Sequence, residues 1–345
     1  MSRRTASLSV AAILIVVLAA LATFLPVPYV LLSPGPSTNT LGSVGKQPLI
    51  RILGHQTYPT TGHLNLTTVS VLGGPQQRMD LVSAIRGWID KDTAVVPEEQ
   101  VYPKGQTADE AVKEGEAEMK QSQEDATTAA LRQLGFRITT SVVVDRLSKG
   151  SAATGILKPG DVVLEIDGQP VPGSVRLRQL ITAHKPGDTV RMVVLRAGKR
   201  LSLSMTTKKA ADGSTIIGVF SRDAAKYPFT VEVSLRQVGG PSAGLMFALG
   251  IVDKLTPGAL TGGMFVAGTG TIDDQGQVGE IGGIPQKMRG ARHAGATVFL
   301  APAGNCAEAR ATVPKGLRLV KVSTLREAMA DLDKLRAGDT NVPRC

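Results

Sequence analysis

Gly239-Gly-Pro-Ser-Ala-Gly244 and Ile281-Gly-Gly-Ile-Pro-Gln-Lys287 are the two stretches that decide how this chain folds and what chemistry it can perform. Ser242 follows two glycines and a proline, and an apolar run up to Leu255 comes after it. Proline suits the first turn of a helix, because its missing N–H is not needed there. The pattern predicts that Pro241 and Ser242 begin a buried helix, whose free N–H groups and dipole would stabilise a developing oxyanion.

Neither stretch by itself indicates catalysis. A lone Gly-Gly-Pro-Ser is more typical of a serine that caps a helix, and a lone Lys287 is more typical of a solvated helix lysine. Further motifs stand in a fixed order around them: Thr269-Gly-Thr-Ile272 with Gly276, then Ala291-Arg-His-Ala-Gly295 and Val298-Phe-Leu-Ala-Pro302. Together these motifs resemble the peptidase domain of the Lon family. The resemblance implies that Ser242 is a nucleophile and Lys287 its catalytic base.

The resemblance also implies a mechanism for a serine endopeptidase. Ser242 Oγ would attack a peptide carbonyl while Lys287 takes the proton and later donates it to the leaving amine. Thr269 would hydrogen-bond the lysine, and Gly239, Gly240 and Pro241 would support the oxyanion site. Lysine is a base only when neutral, and the apolar residues around it would lower its pKa by burial.

Two residues depart from the Lon pattern, because Gly239 replaces an aspartate and Thr271 replaces a glutamate. The sequence contains no Gly-x-x-x-x-Gly-Lys-Ser/Thr stretch, so we expect no ATP or other cofactor and an unfolded or flexible substrate. No metal site is predicted, because the four histidines form neither a Ser-His-Asp nor a zinc motif: His55, His63, His184 and His293.

Residues 136–208 carry a second set of motifs that resembles a bacterial PDZ domain. These are Gly150-Ser-Ala-Ala153, Leu157-Lys-Pro-Gly-Asp161, Ile166-Asp-Gly168 and Lys185-Pro-Gly-Asp188. The resemblance implies a β-rich domain that binds a peptide as an added strand. Leu134, Gly135 and Phe136 are candidates for its carboxylate-binding loop. They can equally be a helix C-cap followed by a core phenylalanine.

Met119-Lys-Gln-Ser-Gln-Glu-Asp-Ala-Thr-Thr-Ala-Ala130 resembles a helix of the Lon peptidase domain, and a helix is predicted from about 108 to 134. The PDZ domain is therefore expected as an insertion. The predicted class is α+β, with a mixed α/β peptidase domain, an inserted β-rich domain and one preceding transmembrane helix. The predicted segments are an N-terminus at 1–7, an anchor at 8–29, a linker at 30–48, peptidase parts at 49–135 and 214–335, the PDZ domain at 136–208 and a tail at 336–345.

Arg3 and Arg4 precede an uncharged apolar run from Leu8 to Leu25, which is about the length of a membrane-spanning helix. Arginines on the short side predict a single-pass protein of the cell membrane, with a cytoplasmic N-terminus and an extracytoplasmic body. The alternative is a cleaved signal peptide that ends at Ala20-Leu21-Ala22. In an oxidising compartment Cys306 and Cys345 could form a disulfide, although two unpaired thiols remain the alternative.

A net charge of +10 raises the question of nucleic-acid binding. The basic residues are scattered, without a Lys/Arg block or an aromatic-basic pattern, so no nucleic-acid partner is expected. The expected partners are polypeptide substrates, the membrane and further copies of the chain, since Lon-type domains tend to form hexamers. An inactive PDZ adaptor or a chaperone-like binder of exported proteins is the alternative function.

Overall fold

The computed structural model describes residues 3–22, 25–45, 47–210, 213–235 and 238–345. Parts of four predicted segments lie outside the described residues, namely 1 and 2 of the N-terminus, 23 and 24 of the anchor, 46 of the linker and 236 and 237 of the catalytic part. The chain divides into two compact units, one formed by 1–135 and 229–345 and the other by 136–228.

The first segment of the larger unit contains both helices and strands. They are α1 (Arg3–Ala22), β1 (Pro26–Val27), β2 (Tyr29–Asn39), β3 (Ser43–Val44), β4 (Gln47–Pro48), β5 (Ile50–Leu53), β6 (His63–Gly73), β7 (Met79–Asp80), α2 (Leu81–Ile89), β8 (Ala94–Pro97) and α3 (Ala108–Gln133). The predicted helix near 108–134 is confirmed as α3, which begins with a capping box formed by Thr107 and Glu110.

The smaller unit is built mainly from strands. Its elements are β9 (Thr139–Leu147), β10 (Val162–Ile166), β11 (Gln169–Pro170), α4 (Ser174–Thr182), β12 (Thr189–Arg196), β13 (Lys199–Thr206), β14 (Lys208–Lys209), β15 (Thr215–Ile216) and β16 (Val219–Lys226). The antiparallel sheet has the order β13-β12-β10-β9-β16, which leaves β16 at one edge. Alternate residues of its strands, among them Val142, Val163 and Met192, are buried in one core.

The chain returns to the larger unit after Pro228. Its last elements are β17 (Thr230–Val233), α5 (Gly244–Leu255), β18 (Phe265–Gly268), β19 (Thr271–Ile272), β20 (Val278–Gly279), α6 (Ile284–His293), β21 (Val298–Pro302), α7 (Cys306–Thr312), β22 (Arg318–Val322) and α8 (Leu325–Arg336). The central sheet has the order β22-β21-β18-β6-β2-β8. The β22-β21-β18-β6 strands run parallel, whereas β2 and β8 are antiparallel to their neighbours.

The core of the larger unit lies between this sheet and its helices. α5 is buried along nearly its whole length, and Phe247 and Leu249 are completely covered. α6 packs Ile284 and Met288 into a cluster with Phe299. A mainly parallel sheet needs its faces covered by helices, because its strands are apolar on both sides.

Two predicted boundaries were wrong. The segment expected as a linker at 30–48 contains most of β2, a strand of the central sheet that pairs with β6. The Pro-Gly-Pro sequence falls on a register shift between Pro34 and Ser37, where the missing proline N–H groups do not interrupt a regular ladder. β16, expected in the peptidase part, pairs instead with β9 of the smaller unit.

The N-terminal segment forms α1, and the predicted anchor at 8–29 extends too far, because Pro26, Val27 and Tyr29 lie in strands. Across the described ranges, no helix combines the length and the apolar character required to cross a bilayer.

We predict that Gly283→Ala destabilises the larger unit, whereas Gly282→Ala does not. Gly283 precedes α6 with φ of +69°, and a Cβ there would lie 2.7 Å from Val69 Cγ2. A left-handed alanine costs about 1–2 kcal/mol before the clash is counted. A Cβ at Gly282 would meet nothing within 4 Å. Urea unfolding of both variants measures the free energies, and equal values would contradict this prediction.

Candidate active site and peptide groove

Ser242 lies in a turn that precedes α5, and not inside the helix as predicted, because α5 begins at Gly244. The turn is held from outside by α3. The N–H of Gly240, which has φ of +88°, donates to Gly115 O at 3.1 Å. Ser122 Oγ donates to Pro241 O at 2.9 Å. These two contacts fix the backbone on the N-terminal side of the serine, and they leave its side chain half-buried at a cleft.

Lys287 reaches Ser242 from the second turn of α6. Its side chain is almost completely buried, with a relative exposure of 4% for the residue. Lys287 Nζ donates to Ser242 Oγ at 2.8 Å and to Thr269 Oγ1 at 3.2 Å. Burial disfavours the ammonium form and lowers the pKa of Lys287 from about 10.5 to about 8.

Thr269 connects the two residues. Its side chain is fully buried, and its hydroxyl donates to the carbonyl oxygen of Ser242 at 3.0 Å. The N–H of Gly270 donates to the same oxygen at 2.9 Å. Because the hydroxyl proton of Thr269 points to that carbonyl, its lone pairs face Lys287 Nζ. Thr269 therefore holds the lysine nitrogen beside the serine hydroxyl.

The cleft beside Ser242 has a volume of about 930 Å³. Its wall combines backbone near the serine with apolar side chains of β2, β6, α3 and the segment between β8 and α3, namely Leu32, Val69, Val71, Met119 and Val101. In the described part of the chain, the N–H groups of Ser242 and Ala243 donate to no acceptor. The arrangement offers a hydroxyl with a hydrogen-bonded amine, two available donors and space for a polypeptide.

The two departures from the Lon pattern lie close to this turn. At Gly239, a Cβ would lie 3.1 Å from Gly115 Cα, so the turn and α3 approach each other through two glycines. Thr271 is half-buried in β19, which pairs with β20. Neither residue forms the contacts between Ser242, Thr269 and Lys287.

The smaller unit has a cavity of its own, with a volume of about 610 Å³. Leu177 and Ile181 of α4 form one wall, and residues 214–221 form the other. The loop before β16 is fastened by Ser151 Oγ, which donates to Ile217 O at 2.8 Å, and by Ser148 N–H, which donates to Gly218 O at 2.9 Å. The cavity therefore lies beside an edge strand.

The candidate carboxylate-binding residues Leu134, Gly135 and Phe136 do not line this cavity. Leu134 is the C-cap of α3, and Gly135 has the positive φ of +81° typical of a helix end. Leu134 and Gly135 thus end α3 as a helix cap, whereas Phe136 is half-buried and not a core residue. The loop that faces the cavity contains Ile217-Gly218-Val219, which the sequence analysis did not select.

The remaining candidate residues lie away from the two sites. Cys306 and Cys345 are joined by a disulfide that ties the C-terminal tail to α7. His293 is exposed, with Nε2 3.9 Å from an Asp92 carboxylate oxygen. Within the ranges that the structure describes, no group of His, Cys, Asp and Glu is arranged to hold a metal ion.

Ser122 is a residue of the site that sequence reasoning missed. It contacts the backbone of the turn that contains Ser242, and its side chain is buried. The only available signal was its place in the stretch from Met119 to Ala130, which resembles a Lon helix.

Comparison with known proteins finds two different families along the chain, and the PDZ match begins inside α3 and ends before β16. The family model of the PDZ domain matches residues 118–207, and that of the Lon protease (S16) C-terminal proteolytic domain matches residues 234–332. Lon protease 1 of Sorangium cellulosum is 30% identical over 192 residues, which cover 54% of this chain and 22% of that protein.

A probable periplasmic serine endoprotease DegP-like of Pseudomonas putida is 33% identical over 86 residues, covering 25% of this chain. The match spans only 18% of that relative's length. Among solved structures, the PDZ domain of the SdrC-like protein from Listeria innocua is 30% identical. The match covers 24% of this chain and 92% of the Listeria chain, with a TM-score of 0.23.

The two family models match different parts of the chain, and the Lon match contains Ser242, Thr269 and Lys287. The predicted resemblance to both families is thereby confirmed, as is a serine peptidase domain in a mixed α/β fold. The chain therefore resembles PDZ domains over residues 118–207 and the proteolytic domain of Lon proteases over residues 234–332.

Proposed function

We propose that this protein is a serine endopeptidase in which Ser242 is the nucleophile and Lys287 the general base. The observation that carries the proposal is the 2.8 Å hydrogen bond between Lys287 Nζ and Ser242 Oγ at the open cleft. A nucleophile and its base within hydrogen-bond reach, with a third group that orients the base, is the general arrangement of such catalysts. Thr269 is that third group.

The reaction begins with neutral Lys287. Ser242 Oγ attacks the carbonyl carbon of a peptide bond, and its proton moves to Lys287 Nζ. The N–H groups of Ser242 and Ala243 are available to bind the resulting oxyanion. The lysine ammonium then donates its proton to the leaving amine, and an ester on Ser242 remains. Lys287 next accepts a proton from a water molecule that attacks the ester, and it returns this proton to Ser242 Oγ as the acid leaves.

The substrate that fits this cleft is an extended polypeptide segment. We propose that cleavage requires no ATP, because the sequence carries no phosphate-binding loop and the substrate needs no unfolding when it is already flexible. The groove of the smaller unit supports the same substrate class, since a peptide can add to the free edge of β16 beside the apolar wall of Leu177 and Ile181.

Attachment to the cell membrane through the N-terminal segment remains part of the proposal, with the body on the extracytoplasmic side. The supporting observations are the absence of charge from Leu8 to Leu25 and the exposure of the apolar side chains of α1, including Ile13 and Val16. A homo-oligomer such as the hexamer of Lon-type domains is proposed from the family resemblance alone.

The first prediction concerns the two catalytic residues. The full-length chain in detergent should cleave casein without ATP, and Ser242→Ala and Lys287→Ala should each lower the rate by about a thousandfold or more. Lys315→Ala, an exposed lysine outside the cleft, should retain the wild-type rate. Cleavage that survives Ser242→Ala would contradict the assignment. A folded wild type that binds casein without cleaving it would favour an adaptor or chaperone.

The second prediction is a pH dependence of the rate. Because Lys287 must be neutral and burial lowers its pKa to about 8, kcat/KM should rise about tenfold per pH unit below pH 8 and level off above it. The measurement is a pH–rate profile on a flexible peptide that contains no titrating group near pH 8. A flat profile between pH 6 and 9 would exclude Lys287 as the base.

The third prediction is a pH dependence of stability. The unfolded chain binds a proton at Lys287 up to about pH 10.5, whereas the folded chain loses it near pH 8. Between pH 8 and pH 10.5, unfolding therefore takes up a proton at Lys287. The free energy of unfolding should rise across this pH range, and Lys287 should contribute about 3 kcal/mol to the rise. Lys287→Met should remove this contribution. Urea titrations of both proteins at several pH values would test it.

A further inference from the structure

Helix α2 exposes its largest apolar side chains and buries its smallest. Ile85, Trp88 and Ile89, here called the α2 face, are 44%, 60% and 76% exposed. The buried side of the helix consists of Ala84 and Gly87. At Gly87, a Cβ would lie 2.3 Å from Leu31 Cδ1 and 2.8 Å from Val95 Cγ2, so the helix cannot rotate to bury a larger residue there.

The α2 face is held rigidly. Asp80 caps the helix by accepting from the N–H of Ser83 at 2.9 Å and from its hydroxyl at 2.7 Å. The ring of Tyr29 meets the ring of Trp88 edge-on, with centroids 6.1 Å apart. A contiguous apolar patch that the fold holds toward the outside marks a surface for another partner.

The position of the α2 face in the chain identifies that partner. β1 pairs with β7 immediately before α2, and Leu81 N–H donates to Leu25 O at 3.2 Å. The helix therefore begins beside the residue at which the uncharged N-terminal segment ends. Leu25 itself is 56% exposed.

Charged side chains of both signs flank the α2 face in the chain. Arg78, Arg86 and Lys91 are exposed, whereas the Asp80 carboxylate caps α2, the Asp90 carboxylate accepts from the N–H of Asp92 and the Asp92 carboxylate pairs with Arg289. Tryptophan and tyrosine are enriched where a protein meets the headgroup region of a bilayer, and clustered cations are attracted to anionic lipids.

We propose that the α2 face docks on the interfacial region of an anionic lipid bilayer, next to the point where the chain leaves the membrane. This inference rests on the proposed membrane attachment of the N-terminal segment. Docking gives the larger unit a second contact with the bilayer and thereby fixes the direction in which its cleft opens. An interfacial helix inserts its apolar face about 5–10 Å into the headgroup boundary.

Trp88 is the single tryptophan of the chain, so its fluorescence reports on this face alone. The full-length protein would be reconstituted into vesicles that contain phosphatidylglycerol, with and without brominated acyl chains. We expect a blue-shifted emission, loss of roughly half or more of it to the brominated lipid, and protection from aqueous iodide. Ile85→Ser with Ile89→Ser should abolish the quenching, whereas Val112→Ser, an exposed valine of α3, should leave it unchanged.

Flotation of the vesicles separates the two proposals. Protein that does not float with the vesicles overturns the membrane attachment and the docking together. Protein that floats while Trp88 stays open to iodide and is not quenched by brominated lipid overturns the docking alone. Trp88 that is shielded from iodide but not quenched by the lipid would show that another copy of the chain covers the face, which also overturns the proposal.

Discussion

The contact between Lys287 and Ser242 imposes one demand on the rest of the fold, namely that a lysine must be buried without a carboxylate beside it. In the described part of the chain, its side-chain nitrogen bonds only to the hydroxyls of Ser242 and Thr269. A carboxylate partner would stabilise the ammonium and raise the pKa of the lysine. Two hydroxyls instead satisfy the amine while burial lowers its pKa to about 8.

The three residues come from three different parts of the larger unit, so the contact depends on tertiary structure. Thr269 follows directly after β18, whose parallel pairing with β6 and β21 fixes the end of the strand. Ser242 is held by the turn before α5, which α3 fastens through Ser122. Lys287 projects from α6, which packs on the same sheet. Because an error in any one element would separate the atoms, stability of the core and competence of the site are coupled.

The sequence selected residues that the structure brings together, but it predicted their local geometry less well. Ser242 and Lys287 lie in recognisable sequence motifs. Such motifs contain residues that the local backbone requires, for example Gly283, which has a left-handed conformation before α6. The helix start at Pro241 was predicted wrongly, because contacts from Gly115 and Ser122 hold the preceding turn in a non-helical path. β2 was mistaken for a linker because its strand character comes from pairing with β6, and prolines conceal that pairing in the sequence. The contacts that decide the turn before α5 and the strand β2 join residues far apart in the sequence, so local sequence patterns do not predict them.

The orientation of α2 is a further feature that the local sequence pattern does not predict. In α2, Val82, Ile85, Trp88 and Ile89 recur with the period of an amphipathic helix. Periodicity identifies a face, but it does not specify what covers that face. Here Leu31 and Val95 leave room only for a glycine, and close packing decides against the larger side chains. The apolar side chains that the interior cannot accept must therefore meet water or a surface outside the chain.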